Sequence, residues 1–384
     1  MSIAIVSEAH FYGSNNAVSA RVLNYARTLR RAGEHVYLLS YQDYAQGDML
    51  SEISAGIYCF AGGGNTGYGM SSFFRLMTSM VKGKGIEGML FYPTPNPIFE
   101  LCFLMWKRRQ GFKNVVCEVN EVRRFEQTYL KTFSLPKRII YKLVTANSEK
   151  LTRLYKGIVC ISDNIREYFS PYNSNALVIP ILSDIPESIS QKPEHPDVPL
   201  SFVFTGSVAI EKENLVELLR GFYTFNKEHT NWEFLLYGKV PEENRRRLKS
   251  IIDILGLADK VKLMGEVEHG QIAGILASAD CLILPRRNTK QNFYGFSTKL
   301  SEYAVSGTPI ILTDTGVVFR YFKDGRDCLK VVGYEADGFC KQLIRFSQLT
   351  VEQRHEMAGN AYETACNNFD WRKYSTALKN FIVK

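Results

Sequence analysis

The chain has 384 residues, 45% of them apolar, and 47 Lys and Arg against 39 Asp and Glu; it is too long for one ordinary core and calls for two globular units. No run of 18 apolar residues occurs, and MSIAIVSEAH has no basic stretch ahead of an apolar one, so neither a membrane span nor an export signal is expected. The eight cysteines form no Cys-x-x-Cys, the six histidines no His-x-His or His-Glu-x-x-His, and there is no Asp-x-Asp. Reduced, buried thiols in a cytoplasmic protein are expected, with no metal site.

In chain order, strands are expected at IAIVS (3–7), VYLLS (36–40), GMLFY (88–92), VVCEV (115–119), GIVCI (157–161) and ALVIP (176–180). AGGGNTGYG contains Gly-x-Gly-x-x-Gly as Gly62, Gly64 and Gly67, with Glu87 twenty residues on. A dinucleotide fingerprint belongs in the first βαβ unit with its acid ending the second strand, so this stretch reads instead as a loop. Residues 101–160 carry 13 Lys and Arg against four acids among apolar neighbours. This is either a solvated basic face or a surface for an anionic membrane or polyanion; with no RNP-like motif or zinc finger, nucleic acid is not expected.

DIPESISQKPEHPDVPL (184–200), with four prolines, reads as a linker. Beyond it, strands are expected at SFVFTG (201–206), WEFLLYG (232–238), VKLMG (261–265), DCLILP (280–285), PIILT (309–313) and CLKVV (328–332). Runs apolar on both faces, alternating with helices, predict parallel sheets covered on both sides. The chain closes on a helix capped by Asp370, with Trp371, Tyr374, Leu378 and Ile382 on one face.

The second half also holds the parts of an anion site. Gly206 and Ser207 follow a strand and lead to Lys212; Arg286 and Arg287 lie just beyond another strand, where open α/β sheets bind ligands. Ser297 and Thr298 start a helix whose N-terminus favours an anion, behind Lys299. Glu302, one turn in, gains about 0.3–1 kcal/mol from that helix end without any function. Beside a phosphate site, however, it is placed to accept hydrogen bonds from two ribose hydroxyls.

Four stretches, FVFTGSVAIEKENLVELLRGF, WEFLLYGKV, LGLADKVKLMGEVEHGQIAGILASADCLILP and YGFSTKLSEYAVSGTPIILTDTGVVFRYFKDGRDCLKV, resemble the retaining GT-B glycosyltransferases. Glycosyltransferase family 4 and the bacterial polysaccharide-assembly enzymes are the most similar. NAVSARVLNYARTLRRAGEHVYLLSY, VIPILSD and FDWRKYSTALKNF extend the resemblance into the first half; it is weakest from about residue 45 to 110.

The resemblance implies two Rossmann-like doubly wound domains facing a cleft. Their expected bounds are 1–185 (acceptor side), a linker at 186–200, 201–368 (nucleotide-sugar side), and 369–384 as a helix crossing back to the first domain. It implies a nucleotide-sugar donor and no cofactor. Glu302 matches the ribose-binding glutamate and Lys212 the lysine facing the diphosphate. Ser297 and Thr298 fall at the distal phosphate, and Gly265 to Val267 where the base is read. Gly13, Ser14 and Asn15 fall at the N-terminal glycine loop, and Glu121 near a catalytic or acceptor-side residue. Three departures stand out: Ser207 replaces a frequent arginine, so Arg286, Arg287 or Lys299 would supply its charge; Tyr294 replaces a second glutamate; and the Gly-Gly of the N-terminal loop is reduced to Gly13. The implied reaction is metal-independent, retaining transfer to a saccharide or lipid-linked acceptor in cell-surface polysaccharide synthesis. Separately from the resemblance, the basic, apolar stretch 101–160 would place the enzyme peripherally on the inner face of the plasma membrane. A sugar-nucleotide 2-epimerase and a catalytically inactive partner subunit are the alternatives.

Overall fold

The computed structural model describes residues 1–11, 17–46, 50–60, 69–94, 97–125, 134–189, 192, 198–210 and 212–384. The chain forms two compact units, Met1–Ser183 with Asp370–Lys384, and Asp184–Phe369.

The first unit is built on β1 (Ser2–Ser7), β2 (His35–Ser40), β3 (Leu50–Ser54), β4 (Ile57–Phe60), β5 (Ile86–Phe91), β6 (Val115–Val119), β7 (Gly157–Cys160) and β8 (Ala176–Val178). They form one sheet in the order β3-β4-β2-β1-β5-β6-β7-β8. β1 pairs in parallel with both β2 and β5, so the winding reverses there, and all six of its residues are buried. That double-sided burial is why the strand reads as an unbroken apolar run.

Two strands, β3 and β4, were not expected. LSEIS is a half-exposed edge strand pairing antiparallel with β4, and its mixed polarity hides it in the sequence. Strand β5 also begins earlier than expected, so Glu87 lies inside it with its side chain exposed. The glycines at 62, 64 and 67 lie outside the described residues.

The chain's last segment is not one continuous helix. Asp370 accepts a hydrogen bond from the Arg372 N–H (2.9 Å) and caps a single 3-10 turn, Trp371–Tyr374. An α-helix, Ser375–Val383, follows. Its Leu378 and Ile382 are fully buried in the same core as Ile3, Ile5 and Leu38, so the end of the chain completes the first unit.

The second unit holds β9 (Leu200–Thr205), β10 (Trp232–Tyr237), β11 (Val261–Gly265), β12 (Cys281–Leu284), β13 (Ile310–Thr313) and β14 (Leu329–Val331). All pairings are parallel, in the order β11-β10-β9-β12-β13-β14. Numbered within the unit this is 3-2-1-4-5-6, the Rossmann arrangement, with its switch point between β9 and β12. Described parts of the proline-rich stretch are tied to this unit: Lys192 pairs with Asp280 (2.8 Å), and the Tyr362 hydroxyl donates to Pro186 O (2.5 Å).

Candidate functional site

At the switch point the chain leaves β9 through Gly206 and returns at Glu213, just ahead of the helix Leu215–Phe225. Gly206 has φ +118°, and a Cβ there would lie 2.1 Å from Lys299 Cε. Gly238, at the end of β10, has φ +129°, and a Cβ there would lie 2.1 Å from Gly206 O. Both positions require the absence of a side chain, because two loops and a lysine meet in that space.

Glu213 is the centre of what meets there. Its side chain is 1% exposed; Oε1 accepts from Lys299 Nζ at 2.9 Å and lies 3.2 Å from Arg286 Nη1. Arg286 also donates to Ser297 Oγ at 2.6 Å, which ties the end of β12 to the start of the helix Thr298–Ala304. Among the described residues Glu213 Oε2 has no hydrogen-bond partner.

Sequence reasoning missed Glu213, since EKEN reads as a solvated loop. It also missed Asn292, whose Nδ2 donates to Lys212 O and to Arg287 O, both at 2.9 Å, and so holds the two cation-bearing loops together.

The electrostatics follow from one acid among several bases. Burial pushes the Glu213 carboxyl up, but Arg286, Lys299 and Lys212 outweigh it and hold it below the usual carboxylate range. Burial, helped by the repulsion of Arg286 and Lys212 and opposed by Glu213, brings the Lys299 ammonium down to about 8. The cluster therefore keeps more positive charge than its carboxylate neutralises.

Glu302 is half-buried on the same short helix as Lys299. Burial raises its carboxyl above the ordinary value, against the pull of His269 and Lys299. The next residue, Tyr303, is fully buried and its hydroxyl accepts the Thr205 N–H at 2.8 Å, fixing this helix to the end of β9.

The other expected residues are more scattered. Ser207 and Thr298 are exposed; the Ser297 side chain makes no cap bond to its own helix, its oxygen being engaged by Arg286. Arg287 is exposed and donates to Ile210 O at 3.1 Å, away from Glu213. Tyr294 ends the helix Lys290–Tyr294 half-buried, edge-on to Phe293. Gly265 ends β11 with φ +81° and its carbonyl accepts the Gly238 N–H at 2.7 Å; Val267 follows, half-buried.

Glu121 belongs to the first unit. It lines a small cavity beyond β6 with Glu100, Glu118, Asn120, Arg123 and Glu149. Gly13, Ser14 and Asn15 lie outside the described residues. Among the described residues, no group of three or more His, Cys, Asp or Glu is placed to hold a metal ion.

Residues 186–364 match the family model for glycosyl transferases group 1. That match lies within the second unit, Asp184–Phe369, and covers nearly all of it. A phosphatidyl-myo-inositol mannosyltransferase of Mycobacterium leprae is 22% identical over 219 residues, 56% of this chain and 55% of its own length. The chain thus spans about half the length of that relative.

Whole-chain similarity comes from solved structures. Sucrose-phosphate synthase from Thermosynechococcus elongatus matches with TM-score 0.70 at 14% identity over 99% of this chain and 97% of its own. Anabaena Alr3699/HepE in complex with UDP-glucose matches with TM-score 0.68 at 13% identity over 99% and 98%. The fold is that of the GT-B glycosyltransferases.

Proposed function

We propose that this chain is a hexosyltransferase that moves a sugar from a nucleotide-sugar donor to a saccharide acceptor without a metal ion. The observation that carries the reading is the excess of cations around Glu213 at the carboxyl ends of β9 and β12, beside the half-buried Glu302. That is where a Rossmann-type sheet takes a nucleotide.

Lys212, Arg286 and Lys299 stabilise the diphosphate as the bond to the anomeric carbon breaks. The start of the helix Thr298–Ala304 receives the distal phosphate, and Glu302 holds the ribose hydroxyls. The Gly265 to Val267 segment faces the base. Ser207 leaves room where an arginine is common, and Arg286 supplies the charge; Arg287 contributes at the rim. Glu121 acts on the acceptor side, and Tyr294 contacts the donor sugar.

Two relatives support the chemistry: the mycobacterial protein is named for mannosyl transfer, and HepE was solved with UDP-glucose. Retention of configuration and a role in cell-surface polysaccharide synthesis extend the proposal by resemblance; the basic, apolar stretch 101–160 extends it to a lipid-linked acceptor and a cytoplasmic, membrane-peripheral location.

Lys212→Ala and Glu302→Ala are each expected to lower turnover by roughly 10²–10³-fold, the usual cost of one transition-state charge partner, with little change in melting temperature. A thermal-shift series of UDP, GDP, ADP, CMP and their sugars identifies the donor to use. Full turnover in both variants with that donor overturns the site.

A further inference from the structure

The first unit presents an apolar surface that its own core does not use. On the helix Leu135–Ser148, Leu135, Ile139, Ile140, Leu143 and Val144 are 70%, 53%, 60%, 60% and 36% exposed. At roughly 100° per residue these five cover about half the helix circumference, on the side opposite the buried Thr145. Lys137 and Lys142, both exposed, fall at the two margins of that sector. The adjoining helix Pro97–Arg109 repeats the arrangement, with Ile98, Leu101 and Met105 exposed at 62%, 46% and 56% and Arg108 and Arg109 exposed at its end.

Charge selects the occupant. Across residues 97–113 and 134–156 the only acids are Glu100 and Glu149, and both are buried at 4% exposure. The outward charge of this face is entirely basic. A surface for folding back onto this chain or for a partner protein would be expected to mix signs. A polyanion such as nucleic acid would not call for eight exposed aliphatic side chains. Apolar side chains between basic margins are what an anionic bilayer takes: the aliphatic sector enters the acyl boundary while the lysines meet the headgroups. No helix among the described residues is long and apolar enough to span a bilayer.

We infer that the helices Pro97–Arg109 and Leu135–Ser148 together form a monotopic docking face for an anionic lipid surface. This deepens the lipid-linked acceptor reading by naming the face and the lipid charge it needs, but its own measurement requires no substrate. Helix Pro97–Arg109 starts just beyond the carboxyl end of β5, the ligand-binding end of a parallel sheet, so Ile98 and Leu101 continue the docking face to that rim.

Co-flotation of the full chain with vesicles of phosphatidylglycerol and phosphatidylcholine, against phosphatidylcholine alone, tests this without donor or acceptor. The wild type is expected to float with the anionic vesicles and not with the neutral ones. Lys137→Glu with Lys142→Glu is expected to lower the partition by roughly fivefold for each charge removed, more once reversal is counted. Ile139→Asp with Leu143→Asp is expected to abolish flotation even at low salt while the melting temperature holds, since both side chains already face water.

Equal flotation of wild type and the double aspartate variant overturns the inference, as does equal binding to neutral vesicles. So does a concentration-dependent dimer in lipid-free solution that the same variant abolishes, because the face would then belong to a second copy. Transfer to a water-soluble acceptor, measured on the same variant, separates the two readings. Retained transfer with lost flotation supports docking, whereas lost transfer in the wild type bears on the proposed function alone.

Discussion

Each unit holds a glutamate buried against an arginine near the end of its sheet, Glu118 with Arg21 and Glu213 with Arg286, and these two pairs have opposite accounts of their charge. In the first unit Arg21 Nε donates to Glu118 Oε1 at 2.7 Å, and its other donors go to Pro180 O, Ile179 O and the Tyr25 hydroxyl at 2.9, 3.1 and 2.6 Å. One acid meets one base, 0% and 5% exposed, and the guanidinium is consumed in holding the chain after β8 to the helix Ala17–Arg31. In the second unit one acid meets two bases, with Lys212 as a third contributor. A neutralised buried pair can do no more than position backbone, whereas a surplus of buried positive charge is costly until an anion arrives. The fold is shared, and the count of charges separates scaffold from site.

The sharpest way to break this comparison is Glu118→Ala. It strands Arg21 in the core, and a loss of about 3–5 kcal/mol of stability is expected, read as a large fall in the denaturant midpoint. Nucleotide affinity, measured below that transition, should not move. A mild effect would mean that the first pair is dispensable and the contrast false.

Glu213→Gln tests the other side. Removing the shared carboxylate leaves Arg286 and Lys299 repelling each other, at an expected cost of about 1–3 kcal/mol. A nucleoside diphosphate should then raise the melting temperature of the variant more than that of the wild type, because the ligand replaces the missing negative charge. An equal or smaller rise would show that the anion does not bind at this cluster.

Asn292→Ala should cost less, about 1–2 kcal/mol, by leaving the carbonyls of Lys212 and Arg287 without their donor. Because those loops carry the cations, KM for the donor is expected to rise while kcat changes little. A fall in kcat at constant KM would instead place Asn292 in the chemical step.

The sequence made the sheets legible because strands such as β1, β6, β7, β12 and β13 are short runs buried on both faces; β3, with its exposed Glu52-containing edge, carries no such signal. The lysines, arginines and Glu302 were legible as strand-end and helix-start residues. Glu213 was not, since its partner Lys299 lies 86 residues further on, and Asn292 acts on a carbonyl 80 residues before it. Local pattern cannot report convergence across such separations. The basic excess of 101–160 was visible too, but only the structure shows that Glu100, on the first docking helix, and Glu149, just past the second, are buried while the aliphatic side chains point out.

The smallest expected effect is a pH dependence carried by Lys299. Its ammonium titrates near 8 in the folded protein, below the ordinary lysine value, because burial disfavours the charged form. For stability the sign is positive with rising pH: between about 8 and the ordinary value the unfolded chain holds the proton that the folded chain has released, so this group's contribution grows. For the donor the sign is opposite, since the diphosphate prefers the protonated lysine. Donor affinity should therefore fall above pH 8, by up to about tenfold per pH unit for one linked proton, while the free protein becomes no less stable from this source. Lys299→Arg keeps the charge throughout and should flatten the affinity profile. Parallel profiles for wild type and variant would mean that the lysine's charge is not what the diphosphate meets, and the surplus at Glu213 would have to act through Arg286 and Lys212 alone.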